Sequence, residues 1–222
     1  GEDSVAVGGN SLDANTTGSY NNAVGRNSLT TNTTGTKNNA LGHSSLELNT
    51  TGDNNVAFGH KSLEANTTAC ANTAVGFESL KVNMTGACNV AMGACALIAN
   101  TTGACNHGLG TFSLLANTEG HSNVGVGYQA IKTNTTGDQN VGVGHQALCK
   151  STTASKNTTV GAFGLFANTT GIKNTAIGMS SLEANTTADN NTAVGFESLK
   201  VNTTGCQSSA VGASALAANT EG

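Results

Sequence analysis

Two residue types in this chain carry chemistry at regular spacing: Asn with Thr two residues on, and Cys. Asn-x-Thr is the acceptor for N-glycosylation, and its physical setting is an exposed turn of a secreted protein. It stands at Asn15, Asn32, Asn49, Asn66, Asn83, Asn100, Asn134, Asn168, Asn185 and Asn202, and out of phase with these at Asn157 and Asn190. It is lost at Asn117 and Asn219, where Glu replaces Thr, and at Ser151, which replaces the Asn. The same asparagines have a structural reading. Stacked amides hydrogen-bond along a column and satisfy the backbone of a turn. The two readings exclude each other only where the side chain points inward.

Cys88 and Cys105 lie seventeen residues apart, the interval of the repeat described below. In stacked turns their Cα atoms come to about 5 Å, within disulfide reach. Cys70 competes for Cys88, whereas Cys95, Cys149 and Cys206 have no neighbour in the same column. Unpaired cysteines are either free thiols or links between chains. No Cys-x-x-Cys pair is present, so no zinc site is expected. His43 and His60 are also seventeen apart, but two imidazoles are too few to hold a metal, and solvated decoration is the expectation. Phe77, Tyr128 and Phe196 share one repeat position, and Phe112 and Phe163 share the next; these are a lateral contact stripe or carbohydrate platforms. No nucleophile–base arrangement, phosphate loop or calcium-binding repeat occurs. The chain is therefore read as a non-enzyme with no catalytic residue, cofactor or metal.

What would position these groups is a repeat. From Val5 the chain divides into units of 17 residues without insertion or deletion, beginning at residues 5, 22, 39, 56, 73, 90, 107, 124, 141, 158, 175, 192 and 209. The consensus is x-A-V-G-x-x-S-L-x-A-N-T-T-G-x-x-N. Residues 1–222 thus read as one repeat array of thirteen turns, with both Gly1 and Gly222 at position 14. Position 4 is Gly throughout, position 3 is apolar, position 8 is Leu or Ile131, position 2 is small, and position 11 is Asn except at Ser151. Positions 5, 6, 9, 15 and 16 vary. A period this short and strict suits stacked turns of one backbone path, with equivalent residues about 4.8 Å apart.

The expected fold is all-β, a parallel β-solenoid (β-roll) of thirteen 17-residue turns that associates into a trimer or a continuous fibre. A short strand ends at each position-4 Gly, which supplies a positive φ at the corner. The Asn-Thr-Thr-Gly segment forms the return turn. Positions 5 to 10 are expected to be extended rather than one helical turn, because a helix is too thick to stack at the strand spacing. The expected core is one Val-class side chain from position 3 and one Leu-class side chain from position 8 per turn. Small residues at position 2 mean either a flattened coil or close packing against another chain. Thr at positions 12 and 13 could order water, as on an ice-binding face, but adjacent residues face opposite ways.

Composition excludes several classes. With aromatics at 4%, charged residues at 10%, no Pro and no Trp, a conventional globular core is not available. The net charge of −4 leaves no basic footprint for nucleic acid. No apolar run approaches the roughly 20 residues that span a bilayer. Absence of an initiator Met and of a leader fits a processed chain or a segment of a longer one. Residues 62–69 recur at 181–188 and residues 74–83 recur at 193–202, both without change, which points to duplication of a seven-unit block.

The unit N-x-A-V-G-x-x-S-L-x-x-N-T-T-G resembles repeats of phage tail fibres and bacterial surface fibres. Its N-x-A-V-G half is similar to the head repeats of trimeric autotransporter adhesins, left-handed parallel β-rolls that trimerise, although those heads use a unit of about fourteen residues. The resemblance covers the whole chain and transfers no catalytic residue. It implies a structural segment of an extracellular, self-assembling fibre at a cell or virion surface, with an adhesin or tail-fibre shaft as the alternative and an ice-binding solenoid as a minor one. The implied partners are further copies of the chain, and glycans where the sequons are used.

Overall fold

The structure, a computed structural model, describes residues 1–221. It is all-β, a parallel β-solenoid whose turns follow the 17-residue repeat. The chain divides into two compact units, Gly1–Asn106 and His107–Gly222, and the division falls on a repeat boundary. The first unit contains β1 (Val5–Val7), β2 (Asn22–Val24), β3 (Asn39–Leu41), β4 (Val56–Phe58), β5 (Thr73–Val75) and β6 (Val90–Met92). The second contains β7 (His107–Leu109), β8 (Val124–Val126), β9 (Val141–Val143), β10 (Thr158–Val160), β11 (Thr175–Ile177), β12 (Thr192–Val194) and β13 (Ser209–Val211). Within each unit every strand pairs in parallel with the next, and residues seventeen apart face each other, as with Ala57 and Ala74 or Gly125 and Gly142.

Each strand occupies repeat positions 1 to 3, and side chains alternate across it. The middle residue faces inward: Ala23, Ala57, Ala74, Ala91, Ala176 and Ala193 are fully buried. Positions 1 and 3 face outward. The apolar position-3 column is therefore not core, contrary to expectation: Val7, Leu41, Phe58 and Met92 are 42–56% exposed. Three residues can present only one side chain to each interior, and the small one is selected because Leu of position 8 fills the space opposite. The interior consists of position-2 Ala, position-8 Leu, small position-7 residues and two asparagine columns. Position 2 therefore packs inside its own coil rather than against another chain: a Cβ on Gly125 would stand 3.3 Å from Leu114 Cγ.

Every position-4 Gly has a positive φ, between 127° and 142°. At Gly42 a Cβ would also lie 2.4 Å from the Gly59 carbonyl oxygen, so both backbone angle and stacking distance exclude a side chain. Positions 5 to 10 are neither extended nor helical. Residues at positions 6 and 8 adopt left-handed φ in every turn, for example Asn27 at 58° and Leu29 at 51°, and the segment is a chain of turns. It stacks as a strand would. The position-8 N–H of Leu29 donates to the Ser45 carbonyl of the next turn at 3.1 Å, and the position-6 N–H of Asn27 donates to Gly9 of the preceding one at 2.9 Å. The polar backbone is thus satisfied between turns without regular secondary structure.

Candidate functional site: the amide columns and the outer face

The asparagine columns lie inside the coil. At position 11, the Asn32 amide nitrogen donates to Asn15 Oδ1 at 2.9 Å and to the Gly35 carbonyl at 3.0 Å. At position 17, Asn21 Oδ1 accepts from the Asn38 N–H at 2.9 Å, while Asn21 Nδ2 donates to the same Gly35 carbonyl at 2.8 Å. The position-14 carbonyl therefore joins both columns once per turn. The pattern recurs in the second unit, where Asn134 Nδ2 donates to Asn117 Oδ1 and to Gly137, and Asn123 Nδ2 donates to Gly137 as well.

This arrangement sorts the candidate glycosylation sites. Asn32, Asn49, Asn66, Asn83, Asn100, Asn134, Asn157, Asn168, Asn185 and Asn202 are fully buried. Their side-chain nitrogens are already donors inside the coil, and a sugar on any of them would have to pull the amide out of its column. For these ten the folded chain corrects the glycan reading in favour of the ladder. Asn15, in the first turn, is half-buried, and Asn190, at a left-handed corner with φ 60°, is exposed.

The position-11 column has one interruption. Ser151 is fully buried but too short to continue it, leaving Ser151 Oγ and Asn134 Oδ1 without hydrogen-bond partners. The Asn168 amide nitrogen keeps only its bond to the Gly171 carbonyl, at 3.0 Å, while its Oδ1 still accepts from Asn185 Nδ2 at 2.8 Å.

The expected Cys88–Cys105 disulfide is not formed, and all six cysteines are free thiols. The two backbones have the same conformation, with φ of 59° and 58°, so their side chains run parallel. Their Cβ atoms are then separated by the strand spacing of about 4.8 Å, beyond the 3.5–4.5 Å usual for a bridge. Burial pushes the Cys149 thiol up from its ordinary value, with nearby Lys132 and Lys150 opposing. Burial and then the Glu78 carboxylate push up Cys95.

The aromatic and imidazole column at position 5 stacks on itself. His43 and His60 lie 5.2 Å apart with planes 9° from parallel, and His60 and Phe77 are 5.5 Å apart at 8°. In the second unit Tyr128 stacks on His145 at 5.4 Å, while Phe112 and Phe163 pack edge-on against these rings. His60 thus has a ring on both sides, and Phe77 and Tyr128 each have one face against an imidazole. Phe77, Tyr128 and Phe196 remain 44–51% exposed. Among the described residues, no three His, Cys, Asp or Glu side chains converge as metal ligands. No helix there is long and apolar enough to cross a membrane.

The threonines divide as adjacent residues must. Position-12 hydroxyls donate to the next turn, as Thr33 does to the Thr50 carbonyl at 3.0 Å, whereas position-13 threonines such as Thr34 are exposed. Position 15, which varies freely in sequence, carries a role that sequence reading missed. Its side chain accepts the position-15 N–H of the preceding turn: Thr36 N–H to Asp53 Oδ1 at 2.7 Å, Asp53 N–H to Cys70 Sγ at 3.3 Å, Ile172 N–H to Asp189 Oδ1 at 2.7 Å. The recurrence of Ser, Thr, Asp and Cys there was the available signal, since all four are short acceptors.

In each unit the outer face of the strands is unassigned surface. Position 3 lines it with Val, Leu, Ile, Phe and Met, positions 1 and 5 add a mixture of apolar, aromatic and uncharged polar residues with His, and of the 9 basic and 13 acidic residues only Arg26 falls anywhere in positions 1 to 5. Comparison with protein-family models, curated proteins and solved structures gives no match.

Proposed function

We propose that this chain is a structural segment of an extracellular, self-associating fibre, and that its copies meet through the outer strand face. The observation that carries the reading is the apolar column of position 3, exposed in most turns and half-buried in the rest, within a face that is almost free of charge. Monomeric soluble proteins rarely leave a long apolar stripe in water. Covering one Val- or Leu-sized side chain contributes about 1.5–3 kcal/mol before the costs of association. A face without charge also meets its own copy without like-charge repulsion. Location at a cell or virion surface rests on the resemblance of the repeat to surface-fibre sequences.

The test is sedimentation velocity of the full chain under reducing conditions, beside the variant Val160→Asp/Ile177→Asp, both of whose residues are exposed. The expected result is an oligomer for the native sequence and a monomer for the variant, with unchanged far-UV circular dichroism. A monomeric native chain at tens of micromolar would overturn self-association. Electron microscopy of native material tests the fibre itself, where uniform filaments are expected and only dispersed short particles would count against it.

The exposed rings at position 5 favour a second reading, an adhesin or tail-fibre shaft that presents these columns to a receptor. It requires that Phe77→Ala or Tyr128→Ala abolish cell-surface binding while leaving the oligomer intact.

A further inference from the structure

In the first unit the corner at positions 15 and 16 changes character along the chain. Its early turns carry Ser19–Tyr20, Thr36–Lys37 and Asp53–Asn54, polar or bulky pairs. The next three are built only of Ala and Cys: Cys70–Ala71, Ala87–Cys88 and Ala104–Cys105. These turns are successive in space as well, since the Cys88 N–H donates to the Cys70 carbonyl at 3.1 Å and the Cys105 N–H to the Ala87 carbonyl at 3.0 Å. Three free thiols thus share a small, uncharged corner.

The three are not equivalent. Cys70 is half-buried, with its sulfur accepting from the Asp53 N–H at 3.3 Å and lying 3.6 Å from the Thr68 carbonyl. Cys88 and Cys105 are exposed. Their left-handed backbone turns both side chains out of the coil, and their sulfurs hydrogen-bond to nothing among the described residues. Parallel projection keeps them from closing on each other while leaving both open to an incoming thiol. Position 16 also stands two residues before the strand, at the margin of the apolar outer face.

We propose that Cys88 and Cys105 form a covalent lock between copies of this chain, each making a disulfide to the same corner of a second copy. This rests on the self-association proposed above. A second copy is the fitting occupant because the corner bears no charge to repel its own kind and no side chain larger than Cys to hold it off. The oxidant is a small-molecule disulfide such as glutathione disulfide. The Cys88 thiolate attacks one of its sulfurs and expels a glutathione thiolate, forming a mixed disulfide. A thiolate of the second copy then attacks the Cys88 sulfur and expels the second glutathione. Two protein thiols lose two protons and two electrons in all, and one glutathione disulfide becomes two glutathiones.

The experiment incubates the full chain at pH 8 with glutathione disulfide, blocks remaining thiols with N-ethylmaleimide, and resolves the products by non-reducing electrophoresis and intact mass. The native sequence and Cys70→Ser are expected to give a covalent dimer that dithiothreitol reverses. Cys88→Ser and Cys105→Ser each lower its yield, and the double variant lowers it at least tenfold. A dimer that survives in the double variant overturns the lock. So does a monomer lighter by two hydrogens, the product of a bridge within one chain. Sedimentation of the same samples under dithiothreitol keeps the readings apart: association without cross-linking removes the lock alone, whereas a monomer in dithiothreitol removes the association reading.

Discussion

Ile131 is the one β-branched residue at a position that is otherwise Leu, and its backbone shows why Leu prevails. Position 8 is held at a left-handed φ, 51° at Ile131, where a branched Cβ crowds the chain. Its Cγ1 also lies 2.7 Å from where a Cβ on Gly142 would stand. The Gly at that position-2 site is thus the counterpart of the Ile. Gly142→Ala alone is expected to destabilise the second unit by about 1–3 kcal/mol through overpacking, and adding Ile131→Leu should recover most of it in urea unfolding. A parallel exchange occurs at Thr159, fully buried with its hydroxyl unpartnered, where a Cβ on Gly164 would collide with the Thr Oγ1. Cys149 allows a test of burial. Its raised thiol pKa means that the folded state favours the protonated form. Its contribution to stability is therefore full below the ordinary thiol value and is lost as pH climbs through the raised one. A disulfide-exchange reagent at pH 8 should label the exposed Cys88 and Cys105 rapidly and Cys149 only when the chain opens.

At the scale of the element, the turn is held by hydrogen bonds between turns more than by strand propensity. A three-residue strand is far too short to be stable alone, and the rest of each turn alternates backbone handedness while keeping the ladder. Positions 1 to 3 were legible as strand from Ala-Val-Gly, because glycine at a corner and β-branched residues before it are local signals. The turn at positions 5 to 10 was not, because left-handed φ at residues as different as Lys61, Glu78 and Phe112 has no local sequence signature. Nor was it legible which apolar column faced inward, since Ala and Val both suit either face of a strand. The break at Ser151 gives the element-scale prediction. Ser151→Asn should restore the column, partnering Asn134 Oδ1 and supplying an acceptor to Asn168. It is expected to raise stability by about 1–2 kcal/mol, read as a higher midpoint in thermal or urea unfolding. No gain would mean that the buried site cannot admit the longer amide. The ladder reading of the asparagines was available from sequence, but its choice over glycosylation required knowing that ten of the twelve amides point inward.

Across the whole molecule, charge is confined to the turns and is nearly absent from the strand face. The resolved ion pairs, Lys61–Glu64, Glu78–Lys81 and Glu197–Lys200, join positions 6 and 9 at 2.6–3.1 Å and are partly exposed. Such pairs contribute little to stability, so the fold rests on amide columns and Leu–Ala packing. If association uses the strand face, raising NaCl from 50 to 500 mM should leave the sedimenting species unchanged or slightly favour it, because there is little charge to screen. Dissociation by salt would point instead to the charged turns. The sequence by itself determined the period, the parallel in-register stack, the glycine corner and the absence of a conventional core, because each depends only on which residue recurs every seventeen positions. Tertiary structure alone decided the direction of each column. Inward and outward are properties of a closed turn: Leu of position 8 already occupies the interior, which forces Ala in and Val out, and the position-14 carbonyl draws both asparagine columns inside with it.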